Sequence, residues 1–274
     1  MSKIYNQAPL PFMGQKRKFL KGFKQRLIEC PADSIYIDLF GGSGLLSRAV
    51  KDVHPTSEVV YNDFDNYRKR IKSISTTNNL LRGIRTIVKG LPKDKRIPEI
   101  EKAAILDLIA KESGYVDYIT LSSSLLFSMK YVLSYEKLAK ETFYNVVRES
   151  DYDATGYLDG LTIVSMDYKK LFQQYSGNPS VIFLVDPPYL STEVGTYTGY
   201  WKLKDYLDVL NVLRCGKYFY FTSNKSNIVE LCEWMASQSN YHNPFANAIT
   251  NTTAMQMNYS SSYTDYMIFK NSSM

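Results

Sequence analysis

Histidine and cysteine are scarce in this 274-residue chain, and the scarcity removes whole classes of chemistry. With only His54 and His242, a histidine-based metal centre or a nucleophile–histidine triad is not expected. Cys30, Cys215 and Cys232 are odd in number and scattered, so they read as buried thiols of a reducing cytoplasm, with neither disulfides nor a zinc site. No apolar run approaches the length that spans a bilayer, which excludes a membrane partner of that kind. The N-terminus has no basic region followed by an apolar one, so no signal peptide is expected. No internal repeat is present. Aromatics, by contrast, are plentiful, with 23 Tyr and 13 Phe. The length and the 45% hydrophobic content suffice for one large α/β domain with a small inserted module. The net charge of +6 is modest but unevenly spread.

The densest signal is VIFLVDPPYL, residues 181–190. Val181 to Val185 form an unbroken apolar run, the pattern of a strand buried on both faces of a parallel sheet. Asp186-Pro187-Pro188-Tyr189 ends it, because two prolines cannot continue a hydrogen-bonded ladder. An acid and an aromatic are left at the carboxyl end of a strand, where open α/β sheets bind ligands. The set suits a flat ring that bears an amine. The Asp186 carboxylate can accept one N–H. The Pro187 carbonyl, held by the rigid Pro187-Pro188 pair, can accept the other, and Tyr189 can stack on the ring face. Two fixed acceptors draw the amine out of planarity and aim its lone pair at an electrophile. The proton leaves once the nitrogen is cationic, so no strong base is needed first. The plain alternative is a strand end, a proline turn and a surface tyrosine; all four residues directly after a buried strand favour the chemical reading.

Residues 34–50 read as strand, turn and helix. Ser34 to Phe40 is the strand, with Asp38 near its end and Phe40 as its last residue. Gly41-Gly42-Ser43-Gly44 is the turn, and Leu45 to about Asp52 is the helix. Gly41, Gly42 and Gly44 allow positive φ and close backbone approach to a ligand, and the helix start offers free N–H groups. Asp38 has a structural alternative as a cap on the glycine loop. Glu58 to Tyr61 reads as a second strand ending in Asn62-Asp63. An acid there, about 20 residues past the glycines, is the usual grip on ribose hydroxyls. A nicotinamide or flavin cofactor fits this much, although Ser47 stands where the full glycine pattern has a third small residue. Upstream, Pro11-Phe12-Met13-Gly14-Gln15-Lys16-Arg17 is a tight loop entering a basic helix from Lys18 to about Glu29. Phe12 and Lys16 around a glycine turn can hold a small, flat-ended anionic ligand, or the helix start is a solvated face.

From Asn66 the texture changes. Tyr67 to Lys102 carries eleven Lys or Arg against three acids, an excess larger than the net charge of the whole chain. Helix with a loop near Gly90-Leu91-Pro92-Lys93 is expected there. The block has the density of a phosphate-contacting surface, or it is a solvated helical face. Residues 103–148 are expected to form two further helices, with Leu121, Leu125, Phe127, Met129 and Leu133 mostly core. Residues 148–160 read as a turn-rich loop that could close as a short hairpin. Leu161 to Tyr168 is expected to return to a strand, with Asp167 at its end and a short helix after it. Beyond Tyr189, residues 190–199 form a polar loop that could close over a substrate, with Tyr197 and Tyr200 in or beside it. A helix from Trp201 to Leu213, a strand from Lys217 to Thr222 and a helix from Ile228 to Ser237 follow, the last with Leu231 and Trp234 inward. Residues 248–257 and 263–269 are expected to close the chain as a hairpin.

Five segments taken in order, PFMGQKR, DLFGGSG, ND, the strand ending at Asp167, and DPPY, resemble the motifs of Dam-type DNA adenine-N6 methyltransferases, the D12 class or alpha group. The resemblance covers most of the chain outside roughly 66–160. There the aromatic, Asn- and Gly-rich hairpin that such enzymes place before the third motif is missing. It implies an α/β fold, the Rossmann-like S-adenosylmethionine-dependent methyltransferase fold, mostly parallel with a C-terminal antiparallel hairpin and a helical basic insert. Residues 1–65 and 161–274 would form the catalytic domain and 66–160 the inserted DNA-recognition module. The cofactor implied is S-adenosylmethionine, against Phe12, Lys16, Asp38, Phe40, Gly41, Gly42, Gly44, Asp63, Asp167 and Asp186. Catalysis would rest on Asp186, Pro187, Pro188 and Tyr189, and the partner would be double-stranded DNA with a flipped adenine. No metal is implied. Bacterial or phage origin, with work in the cytoplasm, goes with the family. The oligomeric state stays open, a monomer included. The alternatives are a cytosine-N4 methyltransferase, although these more often carry Ser in place of the Asp of DPPY, methylation of an RNA or protein amine, and a non-catalytic nucleic-acid-binding protein on the same fold. A nicotinamide-dependent oxidoreductase leaves DPPY unexplained.

Overall fold

Val181–Val185 forms a strand with all five residues buried, and six further strands are ordered about it. The structure, a computed structural model, describes residues 3–127, 130–188, 201–214, 216–238, 241–258 and 261–271. Two compact units divide the chain. One comprises 8–14 and 66–157; the other comprises 2–7, 15–65 and 158–274. No helix among the described residues is long and apolar enough to cross a membrane.

In chain order, 15–65 supplies a 3₁₀ turn at Arg17–Phe19, then α1 (Leu20–Ile28), β1 (Ile35–Asp38), α2 (Leu45–Val53) and β2 (Val59–Asn62). Residues 66–157 hold α3 (Tyr67–Lys72), α4 (Ile74–Ile87), α5 (Glu99–Ala110), α6 (Tyr118–Leu125) and α7 (Tyr135–Ala139). The remainder supplies β3 (Thr162–Val164), α8 (Tyr168–Tyr175), β4 (Val181–Val185), α9 (Leu203–Leu213), β5 (Lys217–Ser223), α10 (Ile228–Gln238), β6 (Ile249–Asn258) and β7 (Ser261–Asn271).

The sheet runs β3-β2-β1-β4-β5-β7-β6. The first five strands are parallel, and β7 and β6 run antiparallel, as expected of a Rossmann-like methyltransferase sheet closed by a hairpin. Central strands of a parallel sheet are covered on both faces, which is why β2 and β4 read as continuous apolar runs. One face packs Phe19, Phe23, Leu27, Leu45 and Val50 from α1, α2 and the turn before them against Tyr36, Ile182, Leu184, Phe219, Phe221, Met267 and Phe269. The other buries Val209, Leu213, Ile228 and Cys232 against Ile37, Phe183, Tyr218, Tyr220 and Ile268. Strand order reverses between β1 and β4: the chain moves outward from β1 to β2 and β3, then returns to β1's other side. In such sheets the crevice at that switch is the ligand site.

Trp234 does not face inward as expected; it is 61% exposed and Leu231 is only half-buried. Ile228 and Cys232, four residues apart, form the stripe of α10 that meets the sheet, and Trp234 lies two residues, or about 200°, further round.

In the helical unit, α4 and α5 pack through Leu80, Leu81, Ile84, Ile105 and Ile109. Arg70 is buried and donates from Nε to Asp117 at 3.0 Å and from Nη2 to the Pro11 carbonyl at 2.8 Å. The Tyr67 hydroxyl bonds the backbone N–H and carbonyl of Leu10 at 3.0 and 3.1 Å. Segment 8–14 is thereby tied to this unit, although it lies far away in sequence. In place of the two helices expected over 103–148 there are three, the greater part of α5 and the whole of α6 and α7. Gly114 follows the end of α5, Asp117 caps α6 by accepting from Thr120 N–H, and Ser134 caps α7. Leu121 and Leu125 are core, but Phe127 and Leu133 are exposed, because helix α6 stops at Leu125 and its periodicity ends there. Met129 lies outside the described residues. No strand forms over 148–160: Asn78 instead holds this loop, donating to the Tyr152 carbonyl and accepting from Tyr152 N–H.

Candidate functional site

β1 and β4 end side by side, with Asp38 level with Leu184. The glycine loop and DPP therefore leave the sheet at the switch point together. The loop is built closely. A Cβ on Gly41 would sit 2.3 Å from the Tyr61 ring and 2.8 Å from the Asn62 carbonyl, so no other residue fits. Gly44, at φ 73°, turns the chain into α2 in a conformation that side chains rarely adopt.

Asp38 is fully buried. Ser47, from the first turns of α2, donates to its Oδ2 at 2.6 Å, while Oδ1 has no partner at hydrogen-bond geometry. Burial pushes this carboxyl up to about 7 against the opposing Ser47 hydroxyl, and the nearby Asp186 adds to the rise. Its expected capping role reduces to this contact with Ser47 and weaker help from the Phe40 and Ser47 backbone.

Asp63 follows β2 and is buried. The Tyr61 hydroxyl lies 2.7 Å from the Gly42 carbonyl and 3.1 Å from Asp63 Oδ1, one proton for two acceptors. Asn62 laces three strand ends together. It donates to the Leu39 carbonyl at 3.0 Å and the Met166 carbonyl at 2.9 Å, and accepts from Met166 N–H at 3.0 Å. Asp167 does not end a strand running from Leu161 to Tyr168 as expected: β3 stops at Val164, and Asp167, three residues on and exposed, caps α8 by accepting from Lys169 and Lys170 N–H.

At the end of β4, Lys16 Nζ meets Asp186 Oδ2 at 2.6 Å, with side chains 10% and 17% exposed. Lys16 reaches there because the turn at Arg17–Phe19 and α1 pack on the sheet through Phe19 and Phe23; its ammonium lies 5.9 Å from the Phe221 ring centre. Burial raises the Asp186 pKa, and the Lys16 charge and hydrogen bond oppose that rise. Pro187 is buried and Pro188 half-buried; Tyr189, like Tyr197 and Tyr200, lies outside the described residues. Phe12 belongs to the helical unit, where its ring meets Tyr67 edge-on at 5.7 Å. Phe40 packs on Tyr168 at 4.7 Å and Trp201 at 5.6 Å, an aromatic group beside the glycine loop.

The second unit thus gathers Lys16, Asp38, Gly41, Gly42, Gly44, Asp63 and Asp186 around the switch point. The sequence alone does not mark Ser47, Tyr61 and Asn62 as site residues, because their contacts form only when the ends of β1, β2 and β3 come together, and it does not mark exposed Phe64 directly after Asp63. It also missed Asp265, a buried acid on β7. Burial pushes Asp265 up to about 6, with Lys16 opposing and Asp186 adding to the rise.

The family model for the D12 class N6 adenine-specific DNA methyltransferases matches residues 12–214. A Haemophilus influenzae protein named "Putative methyltransferase" is 37% identical over 277 residues, covering 98% of this chain and 93% of its own length.

Proposed function

The chain belongs to the D12 class N6 adenine-specific DNA methyltransferase family, and from that premise we propose that it transfers the methyl group of S-adenosylmethionine to N6 of an adenine flipped out of double-stranded DNA. The observation that carries this reading is the Lys16–Asp186 pair at the end of a buried strand, beside the glycine loop.

The residues fit the cofactor. Asp38 Oδ1 is buried with no partner at hydrogen-bond geometry, Gly41 brings bare backbone to the crevice, and Asp63, buried directly after β2, is proposed to accept from ribose hydroxyls. Bound there, the cofactor supplies an electrophilic methyl on a sulfonium. Phe12, Lys16, Phe40, Gly42, Gly44, Asp167 and Asp186 are proposed to complete the cofactor's surroundings.

Asp186 must be an acceptor. Protonated, it would present a donor to an amine that itself donates. Its burial favours the protonated form, and the Lys16 ammonium 2.6 Å away opposes this by favouring the anion. Asp186 and the Pro187 carbonyl then each take one N–H of the adenine amine, with Pro188 fixing the turn and Tyr189 stacked on the base. The lone pair is held in line with the methyl, so the rate gain comes from position and fixed dipoles. Once the C–N bond has formed, the cationic nitrogen loses a proton, and Asp186 is the group placed to take it. Phosphate contacts are assigned to the helical unit, where Arg68, Lys69, Lys72, Lys89 and Lys95 are exposed.

Asp186→Ala should lower methyl transfer to DNA by about 1,000-fold or more while the fold survives. The check is labelled methyl incorporation beside a thermal melt. A folded variant within a few-fold of wild type would remove Asp186 from the reaction.

A further inference from the structure

We propose that Asp265 is a positioning residue for Lys16: it supplies a second carboxylate against the Lys16 ammonium and so sets where that ammonium stands beside Asp186. The inference rests on the functional reading above for what Lys16 and Asp186 serve.

The sheet register carries it. Asp265 of β7 is paired with Ser223 of β5, two residues beyond the Phe221–Met267 pair and four beyond Phe219–Phe269. In an antiparallel ladder, paired residues share a face and alternate residues return to it. Asp265 therefore continues the apolar stripe Phe269, Met267 on the face that α1 covers. Ile182 and Leu184 of β4 belong to the same face, and Asp186 is the next step along it. Tyr36 of β1 does too, and Asp38 is the next step there. Three acids thus stand on one face at the open end of β1, β4 and β7, with β5 between the last two, and Lys16 pairs with the middle acid, its ammonium 5.9 Å from the ring centre of Phe221 on β5.

An apolar stripe that ends in a buried acid needs a cause. Asp265 is 6% exposed, and its Oδ1 has no hydrogen-bond partner. Such a group is expensive unless a cation faces it. The charged groups acting on it are Lys16 and Lys18, which favour its carboxylate, and Asp186, which opposes it; Tyr263 lies beside it on its own strand. Lys16 bonds one oxygen of Asp186, Oδ2, at 2.6 Å. The pull of the second carboxylate from β7 holds the ammonium at that oxygen and leaves the other oxygen of Asp186 for the adenine amine.

The test is calorimetric titration of S-adenosylmethionine into wild type, Asp265→Asn, Lys16→Met and the double variant, each checked by thermal melt. If Asp265 acts through Lys16, Asp265→Asn weakens binding about 5-fold, Lys16→Met about 20-fold, and the double variant no more than Lys16→Met to within about 2-fold. Asp265→Glu should recover part of the loss. Multiplied losses, roughly 100-fold in the double variant, would mean that Asp265 works independently of Lys16 and would overturn the inference. So would wild-type affinity in Asp265→Asn. A wild-type chain that binds no S-adenosylmethionine brings down the functional reading itself, a distinct result. A second measurement needs no cofactor and also serves if Asp265→Asn proves unstable and only Asp265→Glu folds. Acetylation of Lys16 by acetic anhydride, followed by peptide mass analysis, should quicken about 3-fold in Asp265→Asn, because the side chain loses the attraction of a facing carboxylate and leaves its place more readily, and should stay near wild type in Asp265→Glu. Unchanged labelling in Asp265→Asn, or quickened labelling in Asp265→Glu, counts against the proposal.

Discussion

Asp38 shows how a single buried carboxyl can report on the crevice at the switch point. Its pKa is raised from 3.8 to about 7 by desolvation, so the folded chain holds this proton more tightly than the unfolded chain does. The sign follows from linkage: stability contributed by the bound proton is present at low pH and is lost as pH rises from about 4 through about 7. Asp38→Asn removes the titration while keeping a polar side chain for Ser47. Urea midpoints of the free protein should fall between pH 5 and pH 8 in wild type and fall less in the variant; parallel declines would contradict the assignment. Asp265, pushed up to about 6, adds to the same decline over a lower window. Asp38 was legible as a site residue because a glycine turn follows it. Asp265 was not, because what makes it a site residue is cross-strand register, and register is a property of the folded sheet rather than of the local sequence.

Elements differ in how openly they declare themselves. β2 and β4 were readable because strands covered on both faces need unbroken apolar runs, and the DPP that follows β4 marks its end to the residue. α5, α6 and α7 were harder. Their boundaries are set by Asp117 and Ser134 caps and by Asn145, which donates to the Leu91 carbonyl across 54 residues, none of which periodicity reveals. The Arg70–Asp117 pair is the polar centre of this region, with side chains 4% and 1% exposed. Asp117 also caps α6, and Thr120 donates to it at 2.5 Å. Arg70→Met strips Asp117 of its cation and frees the Pro11 carbonyl, so it should lower stability by roughly 3–5 kcal/mol. Replacing both, as Arg70→Met with Asp117→Asn, should recover part of that loss, since no buried charge is left unpaired. Chemical denaturation of these two variants beside wild type decides this; an Arg70→Met variant as stable as wild type would show that the pair is not needed.

At the scale of the whole molecule, the order of motifs carried most of the functional reading, and the distribution of charge needed the structure. The basic block of eleven Lys and Arg is less free than its count suggests. Arg70, Arg82, Arg85, Lys93 and Arg96 form ion pairs within the helical unit, with Asp117, Asp151, Glu149 and Glu99 as partners. A sequence tally cannot see such pairing, because Asp151 and Glu149 lie more than 50 residues from the cations they meet. The N-terminal motif is divided as well: Phe12 belongs to the helical unit and Lys16 to the sheet unit, a partition that no composition shift marks. The family and the sheet agree with what the motifs implied, and the chemistry assigned to Asp186 is the claim on which the rest depends. The most direct measurement is to supply methyl-labelled S-adenosylmethionine and mixed-sequence double-stranded DNA, digest the product to nucleosides and identify them by mass. The account predicts label in N6-methyldeoxyadenosine and in no other nucleoside. Label in N4-methyldeoxycytidine, or a chain that binds the cofactor and leaves DNA unlabelled, would contradict it.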